Sequence, residues 1–254
     1  MSKKLGKLYA VGVGPGDSSL MTLRSVELLK NIDVIAIPEK NKGQADSFAW
    51  SIVRGAIADE QMVGERCYLW FPMTKDHTIT VPAWQQGAQQ IAAHLSAGKD
   101  VAFVTEGDPS VFSTWAYIQD ELADIFTEQS PELEVVPGVT SLTAVPAATK
   151  VPLADGEERF CVVPATYGVS MLPQLVEQFD TIILLKSGRM VPELIKVLTP
   201  LGLLDCATYV SYASDERERV FTDLREVPSD FCYFATVQLS VRQRKGILRH
   251  GGVA

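Results

Sequence analysis

The chain has 254 residues, 46% hydrophobic and 21% charged, with a formal net charge of −8. This suits a globular protein with a full core in one or two domains. The acidity speaks against general nucleic-acid binding, and no apolar run approaches the roughly 20 residues of a membrane span.

The basic start, Met1 to Lys7, precedes a short apolar run broken by glycines. It reads as a strand rather than a signal peptide. That run, Leu8-Tyr9-Ala10-Val11-Gly12-Val13-Gly14-Pro15-Gly16-Asp17, is followed by a helical pattern over Leu20 to Lys30, with Asp17 or Ser18 as its cap. Strand, tight glycine loop and helix open an α/β domain. The loop departs from the Gly-x-Gly-x-x-Gly dinucleotide fingerprint. Asp17 stands where the third glycine would, and its charge repels a phosphate; Pro15 removes one N–H from the cradle. A plain turn, or a ligand other than a phosphate, even a cationic one, remains open.

A second strand is expected over 33–38, a polar loop over 39–47, a helix over 48–57 and a third strand over 66–71. Residues 72–81, with His77, read as loop. Trp84, Ala88, Ile91, Ala92 and Leu95 share one helical face before a Gly98 cap. A fourth strand over 100–105 ends in Glu106-Gly107-Asp108-Pro109. A helix follows over 110–126, then a fifth strand over 133–136 ending in Pro137-Gly138-Val139-Thr140-Ser141. Alternating apolar strands and helices predict a parallel sheet covered on both faces.

Residues 150–158 read as a linker. Beyond it, strands are expected over 160–163, 181–185 and 207–212, with helices over 170–179 and 192–198 between them. The last strand, 231–239, follows a polar turn region with no helix and is expected to pair antiparallel. The division is an N-terminal α/β domain, 1–152, and a smaller mixed domain, 157–254. Cys67, Cys161, Cys206 and Cys232 form no Cys-x-x-Cys pair and lie in or beside apolar runs. They read as buried free thiols of a cytoplasmic protein.

Ligands of open α/β sheets sit at the carboxyl ends of the strands. Three such ends, at 12–17, 106–109 and 137–141, carry glycines and small or polar residues. Together these turns resemble the tetrapyrrole methylase family, S-adenosylmethionine-dependent enzymes of corrin and siroheme synthesis. Their order and spacing match, and the resemblance covers nearly the whole chain. Within the family, Leu8 to Pro38, Leu184 to Arg189 and Tyr233-Phe234 are most similar to the enzymes that methylate C20 of precorrin-2 or cobalt-factor II. The resemblance implies a homodimer of two-domain subunits, with S-adenosylmethionine held largely by backbone groups in a cleft between the domains. It assigns Pro15, Gly107, Asp108, Pro109, Phe112, Thr140, Ser141, Lys186, Tyr212 and Ala213 to the cofactor. Lys186 stands where relatives often carry an apolar residue such as methionine.

Methyl transfer from a sulfonium needs alignment more than covalent help, and then a group to take the proton from C20. Asp108 is the candidate base, or else the N-cap of the helix over 110–126; Glu106 has a similar alternative. His77 reads as an exposed bystander, His94 and His250 as weaker still, and Tyr117 and Tyr212 as packing residues. The acceptor is a polycarboxylate, so a local basic patch is needed. Gly14, Asp17, Arg24 and Arg189 are candidate acceptor contacts. Arg54, Arg66, Lys75, Arg217 and Arg219 are further cations, and Arg242 to Arg249 read as a solvated tail. No cluster has metal-ligand spacing, so no protein-held metal is expected and any cobalt belongs to the substrate. The alternatives are a methylase acting at another position, a non-catalytic cofactor-binding protein, and a nicotinamide-dependent oxidoreductase with Glu39 as its ribose-binding acid.

Overall fold

The computed structural model describes residues 4–230 and 232–242. His250, Arg244, Lys245 and Arg249 lie outside the described residues. The chain divides into two compact units, 1–140 and 141–254, so the expected linker over 150–158 lies within the second.

In the first unit, β1 (Leu8–Gly12), β2 (Val34–Glu39), β3 (Glu65–Trp70), β4 (Val101–Thr105) and β5 (Leu133–Val136) form one sheet in the order β3-β2-β4-β1-β5. Every pairing is parallel. Between the strands run α1 (Leu23–Asn31), α2 (Phe48–Ala56), α3 (His77–Ser96) and α4 (Trp115–Ile125). Successive strand residues point to opposite faces. Tyr9, Val11, Ile35 and Ile37 join a core with Leu29 of α1 and Ile52 and Val53 of α2. Leu8, Ala10, Val34, Ala36 and Phe103 join a second core with Ile91 and Leu95 of α3 and Ile118 of α4. The strand exits therefore alternate between faces across the sheet, β1 and β2 to one, β4 and β3 to the other. Neighbouring chains part at the carboxyl edge, and that is where open α/β sheets hold ligands.

Several expectations are corrected. The first helix begins at Leu23, capped by Thr22, whose hydroxyl accepts from the Ser25 N–H; Asp17 instead caps a 3-10 turn over Ser18–Leu20. His77 is no loop residue but opens α3, where Asp76 accepts from Thr78 N–H; Pro82 lies inside this 20-residue helix. Asp108 does not cap the helix over 110–126. That helix starts at Trp115, whose N–H donates to the Ser113 hydroxyl. The four thiols are half-buried rather than buried.

The second unit has the sheet order β6-β7-β10-β8-β9, built from β6 (Phe160–Pro164), β7 (Thr181–Leu185), β8 (Ala207–Ser211), β9 (Arg219–Phe221) and β10 (Ala235–Ser240). β6 and β7 are parallel, and β10 is antiparallel to both β7 and β8. This sheet is mixed, as expected. One face carries α6 (Leu172–Leu175) and α7 (Val191–Leu198); the other carries α5 (Ser141–Thr149) through Ala144, Val145, Val210 and Ala213. The helix expected over 170–179 is only α6, and the last strand starts at Ala235 rather than 231.

The three glycine-bearing exits of the first unit meet backbone to backbone. A Cβ on Gly12 would lie 2.6 Å from Gly138 N and 2.7 Å from Gly107 O, and a Cβ on Gly138 would run into that same Gly107 carbonyl. Gly138→Ala is therefore expected to destabilise by at least about 3 kcal/mol, beyond ordinary overpacking, because backbone and not a side chain must give way. Gly43→Ala, which meets nothing within 4 Å but has φ +74°, is expected to cost only about 1–2 kcal/mol. Urea melts of the two variants check this ordering.

Candidate functional site

Gly14 and Gly107 form an antiparallel bridge between the exits of β1 and β4. Gly107 N–H donates to Gly14 O at 2.7 Å and Gly14 N–H returns to Gly107 O at 3.3 Å. Both glycines have positive φ, +90° and +68°, a conformation that costs other residues about 1–2 kcal/mol. The space before Gly107 is open: a Cβ there would meet only Thr140 Cα, at 3.9 Å.

Asp108 ties this bridge to the third loop. One carboxylate oxygen accepts from Ser110 N–H at 2.8 Å, and the other accepts from Gly138 N–H at 2.9 Å. The turn continues through Phe112, which has φ +50° and is 52% exposed, to Ser113, whose hydroxyl lies 2.9 Å from that of Thr105. Below the first loop, the buried Ser25 hydroxyl donates to Gly12 O at 3.0 Å and fixes α1 against the end of β1. Pro15 is half-buried, Asp17 exposed, and Pro109 buried. The Ser19 N–H holds the Asp17 carboxyl below its usual range. Gly14, Pro15, Asp17, Gly107, Asp108, Pro109, Phe112 and Thr140 thus stand on one edge, as the sequence suggests.

Arg24 is engaged elsewhere. Its guanidinium donates to Glu134 at 2.7 Å, in the middle of β5. Arg24 and then Lys7 hold the Glu134 carboxyl below the usual carboxylate range. Arg66 donates to the carbonyls of Met62, Gly64 and Asp59, and Arg54 lies 3.7 Å from Asp59. Tyr117 stacks on Trp84 with centroids 4.1 Å apart, which makes it a packing residue. Glu39 is not available as a ribose-binding acid: it is 5% exposed, and its carboxylate accepts from Gly43 and Ala45 N–H. With that residue spent, the nicotinamide reading loses its second element.

In the second unit, left-handed residues again mark strand exits. Lys186 follows β7 with φ +55° and Tyr212 follows β8 with φ +49°. Tyr212 N–H donates to Phe234 O at 2.8 Å and Ser187 N–H to Ala235 O at 3.0 Å, so both exits bracket the start of β10. The Arg217 guanidinium lies 4.1 Å from the centre of the Tyr212 ring, and Asp215 holds Arg217 in place. Burial raises the Tyr212 phenol. Ala213 is buried, Ser141 half-buried and Arg189 exposed. The Ser187 hydroxyl is fully buried and has no hydrogen-bond partner among the described residues. No pattern in the sequence marks it, since only the tertiary fold decides what surrounds it.

Residues 7–228 match the family described as Tetrapyrrole (Corrin/Porphyrin) Methylases. The chain belongs to this family. It is 36% identical over 235 residues to the cobalt-precorrin-2 C(20)-methyltransferase of Salmonella typhimurium, covering 91% of this chain and 95% of that protein. It is 34% identical to a probable cobalt-precorrin-2 C(20)-methyltransferase of Methanocaldococcus jannaschii, over 75% of this chain and 76% of that one. Among solved structures, uroporphyrin-III C-methyl transferase from Thermus thermophilus, complexed with S-adenosylhomocysteine, superposes with a TM-score of 0.63 at 24% identity, covering 93% of this chain and 98% of that one. That likeness concerns the fold.

The geometry makes Asp108 a brace between two loops. Asp108→Ala is expected to cost roughly 1.5–3 kcal/mol, the range for a hydrogen bond to a charged group, by leaving the Gly138 N–H without its acceptor. Asp108→Asn keeps one oxygen acceptor and is expected to cost less. Denaturant melts of the two variants check that order.

Proposed function

We propose that this protein is an S-adenosylmethionine-dependent methyltransferase that adds one methyl group to C20 of precorrin-2 or its cobalt form in corrin synthesis. The observation that carries the reading is the 36% identity, over nearly the whole length of both chains, to an enzyme named for that reaction. Both relatives described above are named for the cobalt form, so cobalt-precorrin-2 is the acceptor to try first, with its metal carried by the substrate.

The first-unit edge fits such a cofactor. Gly107 and Gly14 offer backbone, and the space before Gly107 is unfilled. Pro15 and Asp17 make the first loop poor for a phosphate and tolerable for a sulfonium. In this reading Gly107, Asp108, Pro109, Phe112, Thr140 and Ser141 hold the cofactor, and the family resemblance adds Lys186, Tyr212 and Ala213. When bound, S-adenosylmethionine supplies a methyl group already activated as a sulfonium. The chain's own work is to orient donor and acceptor in line, worth on the order of 7–11 kcal/mol in well-oriented systems. Asp108 acts as a positioning residue, because both its oxygens already hold loop N–H groups. A cytoplasmic homodimer belongs to the same reading; the family resemblance supports it, together with four cysteines that form no disulfide.

Two measurements test the reading. Calorimetry is expected to show S-adenosylhomocysteine binding and no NAD binding; the reverse would sink it. Incubation with methyl-labelled S-adenosylmethionine and cobalt-precorrin-2 or precorrin-2, followed by carbon NMR, is expected to place one label on C20. Label on a pyrrole carbon, or transfer only to uroporphyrinogen III, would reject C20 while leaving the family standing.

A further inference from the structure

We infer that Lys42 binds a carboxylate of the tetrapyrrole acceptor and sets specificity for it, presented by a loop folded around the buried Glu39 carboxylate. The inference rests on the function proposed above, which makes the acceptor a polycarboxylated macrocycle.

An anionic acceptor must be captured by a chain with net charge −8. Most arginines that could do so are engaged with acids or carbonyls of their own. Arg24 is on Glu134, Arg54 lies beside Asp59, Arg66 is on three carbonyls, and Arg217 is on Asp215. Lys42 differs. Among the described residues it has no carboxylate partner, and its Nζ lies 5.5 Å from the centre of the Trp70 ring. A cation over a half-exposed indole is weakly held, so an incoming carboxylate can take it.

The loop around Lys42 is built to hold it. Glu39 closes β2 and is 5% exposed. Its two oxygens accept from Gly43 N–H at 2.7 Å and Ala45 N–H at 3.0 Å. Both of those residues have positive φ, +74° and +52°, so the backbone curls over the carboxylate. Lys40 N–H donates to Asp46 O at 3.1 Å, and the Asn41 amide donates to the Asp46 carboxylate at 2.9 Å, which closes the loop's base. A buried carboxylate is costly unless its hydrogen bonds are made, and here they are made by the segment that carries Lys42. Trp70 is opposite Glu39 in the β2–β3 register. A crevice of about 60 Å³ is lined by these two residues together with Lys42, Tyr68 and, from α3, Gln86 and Gln90.

The position suits the acceptor. β2 lies beside β4, whose exit carries Gly107. With strands about 4.8 Å apart, the exit of β2 is one strand spacing from that of β4 and about 10 Å from that of β1. A macrocycle whose reacting carbon lies near Gly107 spreads its carboxylated side chains over the exit of β2.

The test compares the wild type with Lys42→Ala, Lys42→Arg and Lys42→Glu, using purified cobalt-precorrin-2 as the acceptor probe and S-adenosylhomocysteine as the cofactor probe. The expected result is a KM for the acceptor raised about fivefold in Lys42→Ala, the upper range for an exposed ion pair. It should rise further in Lys42→Glu and return close to wild type in Lys42→Arg. Affinity for S-adenosylhomocysteine and kcat should stay within about twofold, and added salt should raise KM less in Lys42→Ala than in the wild type. An unchanged acceptor KM in both Lys42→Ala and Lys42→Glu overturns the inference and leaves the methyltransferase reading intact. A wild-type protein that binds S-adenosylhomocysteine but no tetrapyrrole overturns both.

Discussion

Three backbones approach one another at the carboxyl edge of the first sheet more closely than any side chain allows. Gly12, Gly107 and Gly138 touch through their main-chain atoms, and the Gly14–Gly107 bridge fastens two of the loops with reciprocal hydrogen bonds. The Asp108 carboxylate fastens the third. Each loop would be mobile by itself, since exits of this length carry few apolar contacts. Held together, they present a surface of backbone in a fixed shape, and a ligand that binds there need not order them first.

The sheet explains why these loops meet at this edge. The parallel order β3-β2-β4-β1-β5 places the three glycine-bearing exits, of β4, β1 and β5, side by side, and alternation of the helices between faces parts the chains above them. The same strand order puts the Glu39 loop beside the exit of β4. One edge thus carries a glycine surface suited to a compact cofactor and, beside it, a lysine suited to an anionic acceptor. Left-handed residues at Phe112, Lys186 and Tyr212 mark further strand exits. Such conformations persist where the surrounding structure enforces them, as it does at ligand sites.

Much of this was legible in the residues. Apolar runs bounded by glycine or proline located the strands to within a few residues, except that the last starts later than expected and the short Arg219–Phe221 strand lies in a stretch that reads as a polar turn, and three unusual strand ends pointed to one edge. What failed has physical causes. Pro82 sits inside α3, and the polar first turn that Asp76 caps at His77 lies outside the apolar face that marks the rest of the helix. Asp108 has the residue type and place of an N-cap, yet Phe112 at φ +50° turns the chain before the helix can start. The amphipathic stretch over 170–179 holds a single helical turn at Leu172–Leu175. Which glycine makes room for backbone and which supplies a positive φ depends on neighbours more than a hundred residues away, and no local pattern records that. The bond from Arg24 to Glu134 on β5 joins residues 110 apart in sequence, and no local pattern shows it. Glu39 and Lys42 lay in a polar stretch without periodicity, where side-chain roles depend on how the loop closes.

If the three strand exits form one preformed unit, as the proposed cofactor site requires, they respond to S-adenosylhomocysteine as one. In amide hydrogen exchange with and without that ligand, segments 12–17, 106–113 and 137–140 are expected to gain protection together, at one ligand concentration, while the exposed 219–221 strand does not change. Protection gained in only one of the three loops, or gained elsewhere with these three unmoved, would contradict it.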